Sequence, residues 1–378
     1  MLGKAQGRGK AQGRGKQGIG MHGEPIADAS AWTGGELQRD RSWRYELNDE
    51  GRAELHAALQ AVKLRDLALN EIGRAEFPLS GLAPLLNGIG EQLRCGRGFA
   101  VLGGVDVARY DLGELEKIYW GLCSHLGIGI TQNSDASLIH YVTDGLLRPN
   151  QGGRGVGNAG RSSLHVDLTD SASLLCVRQA PDNPRSWVAS STRIHNEFLA
   201  RHPEELAALY AGFEWDRLDE EGPGESPTTG YRVPVFSVAD GKVSCRYNRY
   251  WIAKALKRTN ERLPDHTWRL FNLFDEIADE GRLEFDFEPG DVQFINNYTV
   301  LHGRDAHDVV PDEAHKRLLM RIWLDFDEPR PVADEATVRY GIVRHGNLGW
   351  TANQLNEAVQ GRSHERGADG RPLVAGRG

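Results

Sequence analysis

The chain has 378 residues, 39% of them hydrophobic and 26% charged, with a formal net charge of −8. That length holds one large domain or two medium ones, and the composition is that of a globular chain with a sizeable core. The acidic balance argues against general nucleic-acid binding, which leaves a basic footprint, and no apolar run approaches the ~20 residues of a membrane span.

The basic N-terminus lacks the apolar stretch of a secretory signal. Lys4-Ala5-Gln6-Gly7-Arg8-Gly9 repeats at once as residues 10–15. So few apolar side chains cannot offset the entropy of ordering. Residues 1–35 are expected to be a disordered basic leader, with Met21 as an alternative start and the folded body beginning near Trp43. Apolar positions at helical spacing predict helices over 50–72 (Leu55, Leu59, Val62, Leu64, Leu67, Leu69), 82–93 and 112–126. Between the last two, residues 96–102 read as a short strand ended by Gly103-Gly104. Beyond Leu138 the pattern turns to short strands. Residues 151–161 form a Gly-rich loop with no helix after it, so a lid is expected rather than a phosphate cradle. Strands are predicted over 173–178, 231–236, 243–247, 283–287, 292–295 and 318–326. Residues 192–209 read as helical, with Ser191 or Thr192 as N-cap and a break at Pro203. Residues 239–242 read as a hairpin turn, 264–280 as an inserted helix, and Glu288-Pro289-Gly290-Asp291 as a tight turn. Residues 336–378 form a C-terminal extension, disordered from about 361. The expected fold is mainly β with surrounding helices: a single catalytic domain over 36–335 with a double-stranded β-helix core, jelly roll and cupin-like.

Cys95, Cys123, Cys176 and Cys245 form no C-x-x-C pair, which points to reduced, buried thiols in a cytoplasmic protein. The motif that carries chemistry is His165-Val166-Asp167, answered downstream by His302 within Asn296-Asn297-Tyr298-Thr299-Val300-Leu301-His302-Gly303-Arg304. Residues two apart on a strand face the same side. Two imidazoles and one carboxylate form the ligand set of a non-haem iron(II) site with open positions. Zinc uses the same set, but H-E-x-x-H is absent and no general base is placed for hydrolysis. With one carboxylate the iron site keeps a net positive charge, which suits an anionic chelating co-substrate. Further on, Arg317 and Arg321 are four apart in an apolar strand and so share a face. Two inward guanidinium groups need acid partners, and a dicarboxylate supplies them. The alternative is a structural salt bridge. His140, His195 and His266 read as core or surface residues. His307 competes for the ligand role, but His302 follows an apolar run and precedes Gly303, which allows close packing.

Taken together, the stretches 96–104, 165–167 with 174–176, 288–291, 296–304 and 317–324 resemble the TauD/TfdA-like (clavaminate synthase-like) iron(II)/2-oxoglutarate-dependent dioxygenases, over roughly residues 40–335. The resemblance implies that His165, Asp167 and His302 bind iron(II). It implies that Arg317 pairs with the distal carboxylate of 2-oxoglutarate, and that Arg321 touches co-substrate or substrate. Ser186, or second Thr192, supplies the hydroxyl that assists that carboxylate. Asn183-Pro184-Arg185 stands where Gly-Gly is common, and His307 where an aromatic is usual. The implied reaction uses O2 to oxidise, most simply hydroxylate, a small amino-acid-like or secondary-metabolite substrate in natural product biosynthesis, releasing succinate and CO2. Asp167 argues against halogenation. Desaturation, epimerisation or oxidative cyclisation share these cofactors, and a non-enzymatic jelly-roll binding protein would show a damaged ligand set. Arg249, Tyr247 and Asn158 are the substrate-side candidates. The implied partner is a small molecule, with no nucleic acid and no membrane; a homo-oligomer is compatible with this reading.

Overall fold

The computed structural model describes residues 21–133, 137–144, 157–218, 226–260, 262, 264–333, 336 and 351. An N-terminal helical layer comes first: α1 (Gly34–Arg39), α2 (Asp49–Leu64), α3 (Ala83–Arg94) and α4 (Leu112–Cys123), with strands β1 (Arg44–Glu46) and β2 (Phe99–Gly103) threaded between them. Each helix start has a local cause. Asn48 Oδ1 accepts the Gly51 N–H at 2.8 Å to cap α2, and Asp111 with Glu114 forms a capping box on α4. On α2 the buried stripe is Leu55, Ala58, Leu59 and Val62, while Leu64, expected on that stripe, is exposed at the helix end.

The remaining strands are β3 (Ile128–Ile130), β4 (His140–Val142), β5 (Ser162–His165), β6 (Ser171–Arg178), β7 (Ser186–Ser190), β8 (Phe236–Ala239), β9 (Lys242–Cys245), β10 (Leu283–Phe285), β11 (Val292–Asn296), β12 (Val300–Arg304) and β13 (Leu318–Asp325). The remaining helices are α5 (Ser191–Arg201), α6 (Pro203–Ala211), α7 (Arg249–Thr259) and α8 (Asp265–Gly281). The major sheet runs β1-β2-β11-β6-β13-β3 with β4 on β13; the minor sheet runs β10-β7-β12-β5; β8 and β9 form a hairpin. All pairings are antiparallel except β1 with β2. This is the expected jelly roll with helices around it.

The period-two alternation of the major sheet decides what faces the ligand space. On β13, Met320, Ile322 and Leu324 belong to the apolar cluster under α2–α4. Leu319 and Trp323 belong to the cluster between the sheets, so Arg321, between them in phase, faces that interior. The tight turn before β11 has a close backbone reason. Gly290 has φ +93°, and a Cβ there would sit 2.3 Å from the Val105 carbonyl oxygen. Asp291 then closes the turn on Glu288 N and takes a two-pronged contact from Arg44 at 2.9 and 3.0 Å.

Several boundaries differ from the sequence reading. Packed structure begins before Trp43 and inside the span read as leader. Ile26 exchanges backbone bonds with the Asn196 side chain, and Trp32 donates its indole N–H to the Arg97 carbonyl. Tertiary contacts order this polar stretch where its composition alone does not. Residues 1–20, 151–156 and 352–378, with most of the extension from 337, lie outside the described residues. The N-cap of α5 is Ser190, not Ser191 or Thr192, because strand β7 runs into the helix and its last hydroxyl accepts the Arg193 N–H. Pro203 starts α6 as a separate helix. The strand expected over 231–236 narrows to an isolated bridge of Val233 with Phe213, and the ladder starts at Phe236. Helix α7, capped by Asn248, follows β9 where the sequence reading placed no element. Three cysteines are buried as expected and pushed up to about 12 by burial, but Cys95 is exposed. Among the described residues no helix is long and apolar enough to cross a membrane.

His195, on α5, is fully buried with Nε2 3.0 Å from the Tyr210 hydroxyl. Burial, assisted by nearby His22, lowers it from 6.5 to about 4. Below pH 6.5 the unfolded chain therefore binds a proton that the folded one refuses, so stability is intact above 6.5 and falls as pH drops towards 4. In urea unfolding across this window His195 is expected to contribute about 3 kcal/mol of the loss, and His195→Gln should remove that part of the slope. A slope unchanged by the substitution contradicts this assignment.

Candidate functional site

Antiparallel pairing of β12 with β5 sets His302 directly opposite His165. Their rings lie 4.4 Å apart between centroids. Close approach of the strands depends on Gly303, where a Cβ would sit 2.6 Å from the Ser162 carbonyl oxygen. Asp167 follows two residues after β5 and is held from three directions. Its N–H donates to Asn297 Oδ1 at 3.0 Å, and the neighbouring Val166 N–H donates to the Tyr247 carbonyl at 3.0 Å. Its Oδ2 accepts from Trp323 Nε1 at 3.0 Å and from Arg321 Nη1 at 3.2 Å. One ligand atom from each of His165, Asp167 and His302 falls within 4.8 Å of the others.

The donor chemistry fits a divalent metal. His165 Nδ1 is 2.8 Å from the Ser163 carbonyl, which assigns the proton to Nδ1 and bares the Nε2 lone pair. Burial, with His165 beside it, pushes His302 down to about 3, so this imidazole stays neutral and able to donate. Burial opposes ionisation of Asp167, but Arg321 and the two imidazoles outweigh it and hold the carboxyl well below the usual carboxylate range. The result is two imidazole nitrogens and one anionic oxygen converging from one side, with positions left open. Among the described residues none is placed as a general base of the H-E-x-x-H kind.

Two further cations share the interior. Arg317 precedes β13 by one residue, with a β-bulge between Leu318 and Leu319, and is buried beside Cys176 and Arg304. Burial lowers it to about 10, with Arg304 adding to the effect, so it remains protonated at neutral pH. Its Nε donates to Gln179 Oε1 at 2.7 Å, and Gln179 is itself pinned to the Phe287 carbonyl. Ser186 is buried on β7 opposite Arg304, on the strand face shared with Val188, the partner of His302. Thr192 is not brought there: it lies in the first turn of α5 with Oγ1 2.9 Å from Ser30 Oγ. Arg249 and Tyr247 also go elsewhere. Both bind Asp275 on α8, at 2.5 and 2.8 Å, and Tyr247 stacks on Phe274. Asn158 is exposed, and its carbonyl accepts from Arg304. His307 lies outside the metal cluster, with Nδ1 against the Asp308 carbonyl. Gln132 accepts from Arg321 Nε at 2.9 Å. Sequence reasoning missed Gln132, Gln179, Asn297 and Trp323 as site residues. Only Trp323 carried a usable signal, being two positions from Arg321 and so on its face.

Fold and site together define a jelly-roll oxygenase built around a two-histidine, one-carboxylate metal centre. Residues 63–323 match the family "Taurine catabolism dioxygenase TauD, TfdA family", and the chain belongs to that family of iron(II)- and 2-oxoglutarate-dependent dioxygenases. It is 29% identical over 327 residues to the FR-33289 synthase of Streptomyces rubellomurinus, covering 84% of this chain and 96% of that protein. It is 28% identical over 315 residues to the taurine hydroxylase-like protein SAT17 of Stachybotrys chartarum, 80% of each chain. In fold it is similar to the non-haem iron oxygenase OrfP solved with Fe and alpha-ketoglutaric acid (TM-score 0.56, 18% identity, 75% of this chain and 94% of that one). It is likewise similar to asparagine oxygenase solved with Fe(II), 2S,3S-3-hydroxyasparagine and succinate (TM-score 0.58, 15% identity, 75% and 93%).

Removing Asp167 and removing His302 should have different costs. Asp167→Ala leaves Arg321, with 9% of its side chain exposed, without its carboxylate, and should cost about 3 kcal/mol in the metal-free protein. His302→Ala removes a neutral ring and should cost less. Denaturant unfolding in chelator separates the two, and equal losses would contradict the paired role of Arg321.

Proposed function

We propose that His165, Asp167 and His302 hold iron(II), that Arg317 with Ser186 binds the distal carboxylate of 2-oxoglutarate, and that the enzyme hydroxylates a small natural-product intermediate of amino-acid-like size. The observation that carries this reading is the convergence of one ligand atom from each of the three residues within 4.8 Å. When bound, iron(II) with 2-oxoglutarate and O2 supplies the oxidant for a substrate C–H bond, with succinate and CO2 as co-products.

The residues of the chain bind and orient. The His165 imidazole is set by the Ser163 carbonyl, and the Asp167 backbone by Asn297. Gln179 occupies the Nε–H of Arg317, which leaves the outer edge of its planar fork for a carboxylate. Burial strengthens that pairing, because no water competes at so enclosed a guanidinium. Arg321 stands between the metal ligand Asp167 and the amide of Gln132, where it meets co-substrate or substrate. Several relatives support the substrate class. One is named as a synthase of FR-33289, and OrfP structures hold L-Arg or its hydroxylated forms.

Anaerobic addition of iron(II) and 2-oxoglutarate to the pure protein should raise a weak visible charge-transfer band, lost in His165→Ala. Arg317→Ala should raise the KM for 2-oxoglutarate by about tenfold or more, as expected for a lost charge-assisted pair, and change kcat less. A band that survives His165→Ala, or an unchanged KM, contradicts the assignment. Succinate release across an amino-acid and metabolite library, followed by product mass, identifies the substrate and separates hydroxylation from desaturation or cyclisation.

A further inference from the structure

The carboxylate of Asp167 has two oxygens, and the chain treats them unequally. Oδ2 receives the Trp323 indole N–H at 3.0 Å and Arg321 Nη1 at 3.2 Å. Among the described residues Oδ1 meets only Arg321 Nη1, at 3.4 Å, at the outer limit of a hydrogen bond. A carboxylate ligand can give a metal one oxygen or both. If Asp167 gave both, one of the positions left open by a two-histidine, one-carboxylate set would be filled, and 2-oxoglutarate and O2 need those positions.

We infer that Trp323 is a positioning residue: its indole N–H reserves Oδ2, so that Asp167 offers the metal Oδ1 alone. The inference rests on the metal assignment above and concerns how one ligand is restrained.

Three observations make Trp323 suited to this. It is 1% exposed and lies in mid-strand, paired with Ala172 on one side and Ile130 on the other, so its ring cannot swing away. An indole N–H is donor only, so it reads an oxygen lone pair and carries no charge to compete with the metal. Arg321, by contrast, is a cation shared between Asp167 and Gln132, and its guanidinium lies 5.0 Å from the Trp323 ring. From the other side, Asn297 fixes the Asp167 backbone, which leaves side-chain rotation as the freedom that Trp323 removes.

Trp323→Phe keeps most of the bulk and deletes the N–H. A second variant, with 3-benzothienylalanine at position 323, replaces the N–H by sulfur at almost the same shape and serves if the phenylalanine form does not fold. In anaerobic titrations of the iron(II)-loaded protein, both should bind 2-oxoglutarate about tenfold more weakly and shift the charge-transfer band, without weaker iron(II) binding. Folded variants with the wild-type band and 2-oxoglutarate affinity within about twofold overturn the inference. So does a collapse of iron(II) affinity in the benzothienyl variant, which would make Trp323 a general support of the ligand. Absence of a band in the wild-type protein overturns the metal assignment itself, a separate result.

Discussion

Pairing of His302 with His165 across β12 and β5 is the contact on which the site depends. It brings together two imidazoles that the chain separates by most of the minor sheet and α5–α8. The turn that links β11 to β12 enforces it. Asn297 N donates to the Asp170 carbonyl, its side chain holds Asp167, and Tyr298 OH reaches Asp170 Oδ1 at 2.7 Å. One four-residue turn therefore sets the end of the strand that carries His165 as well as the start of the strand that carries His302. A register slip of one residue would turn the histidines to opposite faces.

The second constraint is electrostatic. Arg317 and Arg321 are buried between the sheets, where an isolated charge is expensive to desolvate. Arg321 is compensated by Asp167, but among the described residues Arg317 has only the neutral Gln179 as hydrogen-bond partner. The dicarboxylate proposed above would provide the missing anion and so account for a cation in an apolar interior. The same pair explains the clear split between the faces of β13: Met320 and Ile322 pack under the helices, and Arg321 and Trp323 serve the ligand space.

Much of this was legible in the chain. His165, Asp167 and His302 are polar residues at strand spacing beside apolar runs, and the Arg317–Arg321 interval kept its phase through the bulge. Helices α2, α3, α4 and α8 followed from apolar periodicity, and the Asp240-Gly241 hairpin from turn chemistry, with φ values of +48° and +73°. What did not read through depends on contacts distant in sequence. Residues 21–35, read as part of a disordered leader, are ordered by Asn196, Arg97 and Thr192. Arg249 and Tyr247 look like pocket residues until α8 supplies Asp275. Gln132 and Gln179 are ordinary amides in sequence, and only packing shows that each orients an arginine.

The most direct measurement is anomalous diffraction at the iron edge from crystals grown anaerobically with iron(II) and 2-oxoglutarate. The expected result is a single strong peak between His165, Asp167 and His302, with the co-substrate reaching from it to Arg317. A peak elsewhere, or co-substrate density that leaves Arg317 unengaged, would contradict the assignment of the site.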